Sequence, residues 1–166
     1  MSTPIAMPKV GEYWEGQGGI RIAECPGQNG EPSYHLIMAV GDDANLGELA
    51  WGSYGVEVAG ANSEWDGLAN TRALLAQDDA ATKHPAAFAA SQFTKDGHTD
   101  FYLPARFELA ACQVFGRAHA KAGWHWSSTQ SSAYYAFFQY FYFGYQHYRG
   151  KRDECWVRPV RRLPIQ

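Results

Sequence analysis

"AYYAFFQYFYFGYQHYRGKRDECW", Ala133–Trp156, is the stretch on which the reading of this chain turns. Between Tyr134 and Tyr148 it holds six Tyr and four Phe in fifteen residues, out of ten Tyr and nine Phe in all. A strand sends alternate residues to opposite faces. Phe137, Gln139 and Phe141 then share one face, and Phe138, Tyr140 and Tyr142 the other. Both faces are aromatic. One can be core, but a packed domain rarely exposes a second large apolar face without a use. A central strand buried on both sides is the alternative. Tyr argues against it, because each buried hydroxyl needs a partner. Tyr is also favoured at paratopes, where it gives contact area at low entropic cost.

The rest of the chain sets bounds on that surface. With 166 residues and 46% hydrophobic content, one domain with one core is expected, spanning 1–166. A net charge of −3 suggests neither a nucleic-acid binder nor a membrane-surface protein. No apolar run approaches the roughly 20 residues of a membrane span. The opening "MSTPIAMPKVGEYWEG" lacks a basic segment followed by an apolar one, so no secretory leader is read there. The expectation is a cytoplasmic protein or a phage virion (tail) part. Cys25, Cys112 and Cys155 are odd in number and far apart, which argues against a disulfide framework or a CxxC zinc site.

The elements read as short and mixed, which favours an α+β fold. "SYHLIMAV" (Ser33–Val40) is a strand closed by the turn "GDDANLG", and Glu48–Gly55 reads as another strand. Helices are expected from Gly67 to Gln77 and from His84 to Phe93, the second with Pro85 in its first turn. A short strand, Phe101–Leu103, leads to a helix begun by Pro104. Its apolar positions are Phe107, Leu109, Ala111, Cys112 and Phe115. "VRPVRRL" reads as a last strand whose arginines pair inside the scaffold.

Four segments together are recognisable: "FYLPARFELAACQV", "WHWSSTQSS", "AFFQYFYFG" and "WVRPVRRL". They resemble the DUF1566-like branch of the C-type-lectin fold, and more narrowly a variable protein of a diversity-generating retroelement. "YHLIMA", "LAWG" and "DGLANT" extend the resemblance from about Gly11. In such proteins a reverse transcriptase misreads adenines of a template repeat, so that AAC or AAT codons become many residues while codons without adenine stay fixed. The family's fixed frame looks like W-S-S-T-Q, A-[WF], then Q, F, G, Q and K at set spacings, then V-R-x-V-R-R. It matches here at Trp126, Ser127, Ser128, Thr129, Gln130, Ala136, Phe137, Gln139, Phe141, Gly144, Gln146, Lys151, Val157, Arg158, Val160, Arg161 and Arg162.

The positions between these are Tyr134, Tyr135, Phe138, Tyr140, Tyr142, Phe143, Tyr145, His147, Tyr148, Arg149, Gly150, Arg152, Asp153 and Cys155. Every one can be encoded after changing only the first two bases of AAC or AAT. None is Lys, Glu, Gln, Met or Trp, which those codons cannot give. Glu154 has no such codon route, Trp156 needs another such as AGG, and Ser131 and His125 are left open as variable positions. The resemblance implies a ligand-binding region at about 124–157. Phe137 and Phe141 are expected in the core, and Phe138, Tyr140, Tyr142 and their neighbours on display.

The expected ligand is a macromolecule, a protein or a cell-surface structure. Aromatic anchors would supply area, and His147, Arg149, Arg152 and Asp153 directional contacts. Display in several copies or as a homo-oligomer would raise avidity. No cofactor, metal, nucleic acid or catalytic role is expected. A formylglycine-generating type of oxidase would need a copper-holding cysteine pair, and Cys112 and Cys155 read instead as a core thiol and an accident of diversification. Cys112, His119 and His125 match no standard metal spacing and read as a core thiol with surface histidines. A calcium-dependent lectin would need clustered oxygen ligands. "GEPSY" lies far upstream of the usual loop, and Asp42, Asp43, Asp96 and Asp100 read as solvated loop charge. A calcium-independent glycan stays open. Ser127, Ser128 and Thr129 lack a nucleophile elbow and read as turn-fixing hydroxyls.

Overall fold

The computed structural model describes residues 5–166. The first four residues of the stretch read for a leader lie outside the described residues. The chain runs β1 (Tyr13–Trp14), β2 (Gly19–Cys25), β3 (Tyr34–Met38), β4 (Glu48–Ala50), α1 (Gly67–Leu75), α2 (Ala80–Lys83), α3 (Pro85–Gln92), α4 (Arg106–Gly116), β5 (Trp124–Gln130), β6 (Tyr135–Tyr140), β7 (Gln146–Gly150), β8 (Glu154–Trp156) and β9 (Val160–Pro164). This is an α+β domain with two sheets. One has the order β1-β2-β3-β9 and the other β4-β8-β5-β6-β7. Within the second sheet only the β5–β8 contact is parallel. Among the described residues, no helix is long and apolar enough to cross a membrane.

Local chemistry sets the element ends. Asp66 caps α1 by accepting from the Ala69 amide at 2.9 Å. Pro85 occupies the first position of α3, where its missing N–H costs nothing. Ala105, one residue after the expected Pro104, precedes α4, and Glu108 reaches back to its amide at 3.0 Å. The strand expected over Glu48–Gly55 stops at Ala50. Gly52 breaks it with φ +102, and a Cβ there would stand 1.7 Å from the Lys83 carbonyl. Phe101–Leu103 contributes only a single bridge, Tyr102 to Val160. The short α2 has no counterpart in the sequence pattern.

Two apolar layers fill the space between the sheets and helices. α1 and α3 cover Trp51, Trp126, Leu103 and Phe138. α4 covers Ile20, Ile22, Leu36, Met38 and Phe141. The inward stripe of α4 is Glu108, Leu109, Cys112, Gln113 and Gly116. Phe115, expected on that stripe, is instead half exposed beside Val114. Helical phase explains this: position 116 faces inward, where a Cβ would meet the Met38 methyl at 2.7 Å unless that side chain shifted.

The core also contains charge, most of it hydrogen-bonded, although Arg158 Nε and His84 Nδ1 have no partner among the described residues. The buried Glu108 carboxylate accepts from the Tyr34 hydroxyl (2.8 Å), the Tyr102 hydroxyl (2.5 Å) and the Gly67 amide (2.8 Å). Arg162 stacks on the Tyr34 ring at 4.1 Å and lies 3.6 Å from the same carboxylate. Burial pushes the Glu108 carboxyl upward, and Arg162 and the hydroxyl donors oppose that. Arg161 pairs with Asp100 at 2.8 Å, and Arg158 donates to the Ala39 carbonyl at 3.1 Å. The last-strand arginines therefore do pair within the scaffold.

Two predictions follow from this interior. Glu108→Ala leaves two hydroxyl donors and two amides without their acceptor and removes one of the two carboxylates beside Arg162, so it should lower unfolding free energy by about 3–5 kcal/mol in a denaturant titration. His125 was expected at the surface, but it is buried in β5 with its ring 4.1 Å from that of Phe141. Burial, reinforced by the charge of Arg158, lowers its pKa to about 3 from 6.5. The unfolded chain therefore binds the proton more readily. The stability from neutral His125 is complete above pH 6.5 and is lost as pH falls toward 3. His125→Phe should flatten that acid slope in thermal melts taken across the interval. An unchanged slope would contradict the assignment.

Candidate ligand-binding surface

The surface is built on β6 and the edge strand β7. Their register pairs Ala136 with Arg149, Phe137 with Tyr148, Phe138 with His147 and Gln139 with Gln146. On the other side of β6, Trp124 lies opposite Tyr140 and Trp126 opposite Phe138. One face of the sheet thus carries Trp124, Trp126, Phe138, Tyr140, His147 and Arg149. The opposite face carries His125, Phe137, Gln139, Gln146 and Tyr148, and α4 packs there.

Fixed bonds hold the connecting loops. The Ser132 hydroxyl accepts from the Tyr134 and Tyr135 amides at 3.1 and 3.2 Å. Gly144 turns β6 into β7 with φ +79, its amide on the Tyr140 carbonyl at 2.8 Å. After β7 the chain is pinned from inside. The Lys151 ammonium is buried and donates to the Val56 carbonyl (2.8 Å) and Gln130 Oε1 (2.9 Å), with the Trp51 ring 4.7 Å away. Burial lowers its pKa to about 8. Its own carbonyl accepts from Gly52 at 2.7 Å, and its amide donates to Tyr134 at 2.9 Å. One buried residue therefore ties three loops together.

Over this frame the aromatic rings touch one another in an unbroken series. Tyr54 meets Tyr134 at 5.2 Å, Tyr134 meets Tyr135 at 6.5 Å, and Tyr135 meets Tyr148 at 5.2 Å. Tyr148 stacks on His147 at 4.5 Å, and His147 lies 6.5 Å from Phe138. From there the series runs through Tyr145 and Tyr140 to Phe143 and Tyr142. Tyr142 and Phe143 are 63% and 71% exposed, the most open aromatics of the series. Arg152 lies over the Tyr54 ring at 3.9 Å.

The expected surface residues divide by burial. Tyr134, Tyr135, Tyr142, Phe143, Tyr145, His147, Tyr148, Arg152 and Asp153 are exposed, and Tyr140, Arg149 and Gly150 are half-buried. Two are not on the surface. Phe138 is 5% exposed because the same sheet face that carries it outward also meets Trp126 and the α1–α3 layer. Cys155 is 2% exposed in that layer, and burial pushes its thiol up to about 12. Phe137, expected in the core, is half-buried and covered by the Arg106 guanidinium at 3.9 Å. Phe141 is in the core as expected.

Sequence reasoning also missed members. Tyr54 lies in "WGSYG", which read as a strand, and its approach to Tyr134 is set by the left-handed Ser53 and Gly52 before it. Trp124 joins the surface 5.3 Å from Phe138, and it could have been found by pairing the neighbouring strand. Trp65 and Phe107 stack at 4.4 Å beside Arg106, extending the opposite face.

The other groups weighed are engaged structurally. Ser127 donates to the Phe137 carbonyl at 2.7 Å and Thr129 to the Ser63 carbonyl at 2.8 Å. Three acids expected to be solvated loop charges have partners. Asp43 pairs with Lys95 at 2.9 Å, Asp96 accepts from the Tyr13 hydroxyl at 2.5 Å, and Asp100 holds Arg161. Cys112 and Cys155 lie in different apolar layers. Among the described residues, no group of three His, Cys, Asp or Glu gathers as a metal site. No protein-family model matches the chain, and no curated protein matches it.

Truncating the open rings should therefore cost little. Tyr142→Ala and Phe143→Ala should each change unfolding free energy by no more than about 0.5 kcal/mol. Phe138→Ala, four residues before Tyr142, should cost about 3–5 kcal/mol. Chemical denaturation of the three variants distinguishes a displayed ribbon from a second core face.

Proposed function

We propose that the protein is a ligand-binding display domain of the C-type-lectin fold, whose C-terminal surface is diversified by adenine-directed copying from a template repeat. It would bind a macromolecular ligand, a protein or a cell-surface structure, without catalysis. The α+β arrangement of two sheets and short helices supports the fold. The observation that carries the functional reading is the division of residues by burial. Thirteen of the seventeen frame positions are buried (Trp126, Ser127, Ser128, Thr129, Gln130, Ala136, Gln139, Phe141, Lys151, Val157, Arg158, Val160 and Arg161), Phe137, Gln146 and Arg162 are half-buried, and Gly144 is exposed. The open aromatic rings Tyr134, Tyr135, Tyr142, Phe143, Tyr145 and Tyr148 all belong to the set reachable from AAC or AAT.

Physics links that division to function. Frame side chains satisfy buried polar groups and fill the core, so any change there is costly. The open rings touch mainly one another and solvent, so they can be exchanged at little cost in stability. Tyr-rich surfaces of this kind gain affinity from ring area and from preformed loops. The half-buried Arg149 and the exposed His147, Arg152 and Asp153 add polar contacts at the rim.

The test is made on the gene. Its downstream flank should contain a near-copy of the segment encoding Trp126–Leu163, differing only where that copy carries adenine, with a reverse-transcriptase gene close by. Finding no such copy, with purine-ending codons at the open positions, would overturn the diversification reading.

A further inference from the structure

The open end of the aromatic ribbon, where Tyr142 and Phe143 stand, borders a cavity of about 440 Å³. Arg117, Ala122, Phe141 and Tyr142 line it. Backbone bonds fix its walls. The Phe141 amide donates to the Gly123 carbonyl at 3.1 Å, and the Tyr142 amide to the Ala122 carbonyl at 3.0 Å. From α4, the Gln113 side-chain amide donates to the Phe141 carbonyl at 3.1 Å. Arg117 follows α4 directly, is exposed, and has no ion-pair partner among the described residues. Asp42 lies in a separate hollow, which it lines with His119 and Lys121.

The charge pattern around this cavity is one-sided. From Leu109 to Arg152 the chain carries no Asp or Glu, but it carries Arg117, Lys121, Arg149, Lys151 and Arg152. All 17 Asp and Glu lie elsewhere, in a chain whose net charge is −3. This acid-free segment supplies most of α4 and all of β5, β6 and β7. The dipole of α4 favours a cation at its C-terminal end, which accounts for Arg117 by itself. It accounts neither for the cavity that Arg117 lines nor for the missing acids.

We propose that this cavity is an anion subsite that seats a glutamate or aspartate side chain of a protein ligand, its carboxylate on the Arg117 guanidinium and its alkyl stem along the wall formed by Ala122 and Tyr142. A guanidinium holds a carboxylate through charge-assisted bonds, and walls that exclude water strengthen the attraction. A lining of one cation among apolar groups fits a carboxylate on an alkyl stem better than a bare phosphate. The acid-free surroundings would also steer an acidic partner toward this end of the ribbon.

The subsite deepens the display reading and rests on it for the identity of the ligand as a protein. It also adds a constraint. Arg117 and Ala122 precede the ligand-binding region at about 124–157, and Phe141 belongs to its frame. Of the four lining residues, only Tyr142 would differ among sibling copies. Preference for an acidic side chain would be a constant of the scaffold, tuned by the residue at position 142.

The test titrates the whole chain with the end-blocked peptide Gly-Glu-Gly, with end-blocked Gly-Gln-Gly as its uncharged isostere. The Arg117 Nε–H resonance and the Ala122 and Tyr142 amides are followed by NMR. The Glu peptide should move all three saturably, more weakly as salt rises, and the Gln peptide should not. Arg117→Gln should weaken the Glu peptide about five-fold without changing the thermal melt, and Arg117→Lys should retain part of the affinity. Arg152→Gln removes the same charge at the far end of the ribbon, beside Tyr54, and should leave binding unchanged. The proposal is overturned by no saturable shift, by equal binding of the Gln peptide, or by tighter binding of inorganic phosphate. Equal loss from Arg117→Gln and Arg152→Gln would also overturn it, because it would show diffuse attraction in place of a subsite. A template repeat without probe binding would sink the subsite alone. Probe binding without a template repeat would sink the diversification and leave the subsite.

Discussion

The Glu108 carboxylate is the point on which the scaffold depends. It joins the start of α4 to the start of α1 through two amides, and it joins both to the first sheet through Tyr34 and Arg162. Tyr102 ties the segment before α4 to the same oxygen. A buried carboxylate is tolerable only when its oxygens are filled, and here they are. Because the hub recruits backbone amides as well as side chains, it fixes where the elements sit. Lys151 repeats the device under the binding surface, converting one buried ammonium into the anchor of three loops.

This separation of duties explains how an aromatic surface can sit on a packed domain. The rings rest on a sheet whose buried polar groups are mostly bonded from within, Gln139 Oε1 being an exception. Only Phe138, and in part Tyr140, reach down into the apolar layer. Edge strand β7 is protected by its own residues: Arg149 is half-buried, and His147 and Tyr148 stack on each other. An exposed edge rich in apolar groups is otherwise prone to pair with another chain.

Much of this was legible in the sequence, and the rest has physical reasons for being hidden. Strand parity from Phe137 to Tyr140 predicted the two faces, because the side-chain period of a strand is two wherever it pairs, whereas Phe141 and Tyr142, expected to continue the strand, lie in the turn after it. Parity says which face a residue takes, however, and not how deep it sits. Phe138 is buried because Trp126 lies beside it on β5, a neighbour separated by a turn in sequence. Phe137 is half open, with the Arg106 guanidinium of α4 over its ring. Cys155 fits the codon pattern of a displayed residue, yet β8 pairs with β4 and turns it inward beside Leu49. Tyr54 escaped notice because its contact with Tyr134 depends on backbone turns that no periodicity reveals. Polarity suggests the surface for His125, whereas ring packing on Phe141 holds it inside.

The central claim is that the frame folds independently of the displayed rings. The direct measurement is a sorted library. Positions 134, 135, 142, 143, 145, 147, 148, 152 and 153 are randomised together through AAC-derived codons, and each member is scored for protease resistance. The account predicts that most members stay folded, with resistance uncorrelated with aromatic content at these positions. Resistance that tracks the retention of Tyr and Phe across the set would show that the ribbon is core, and would contradict the account.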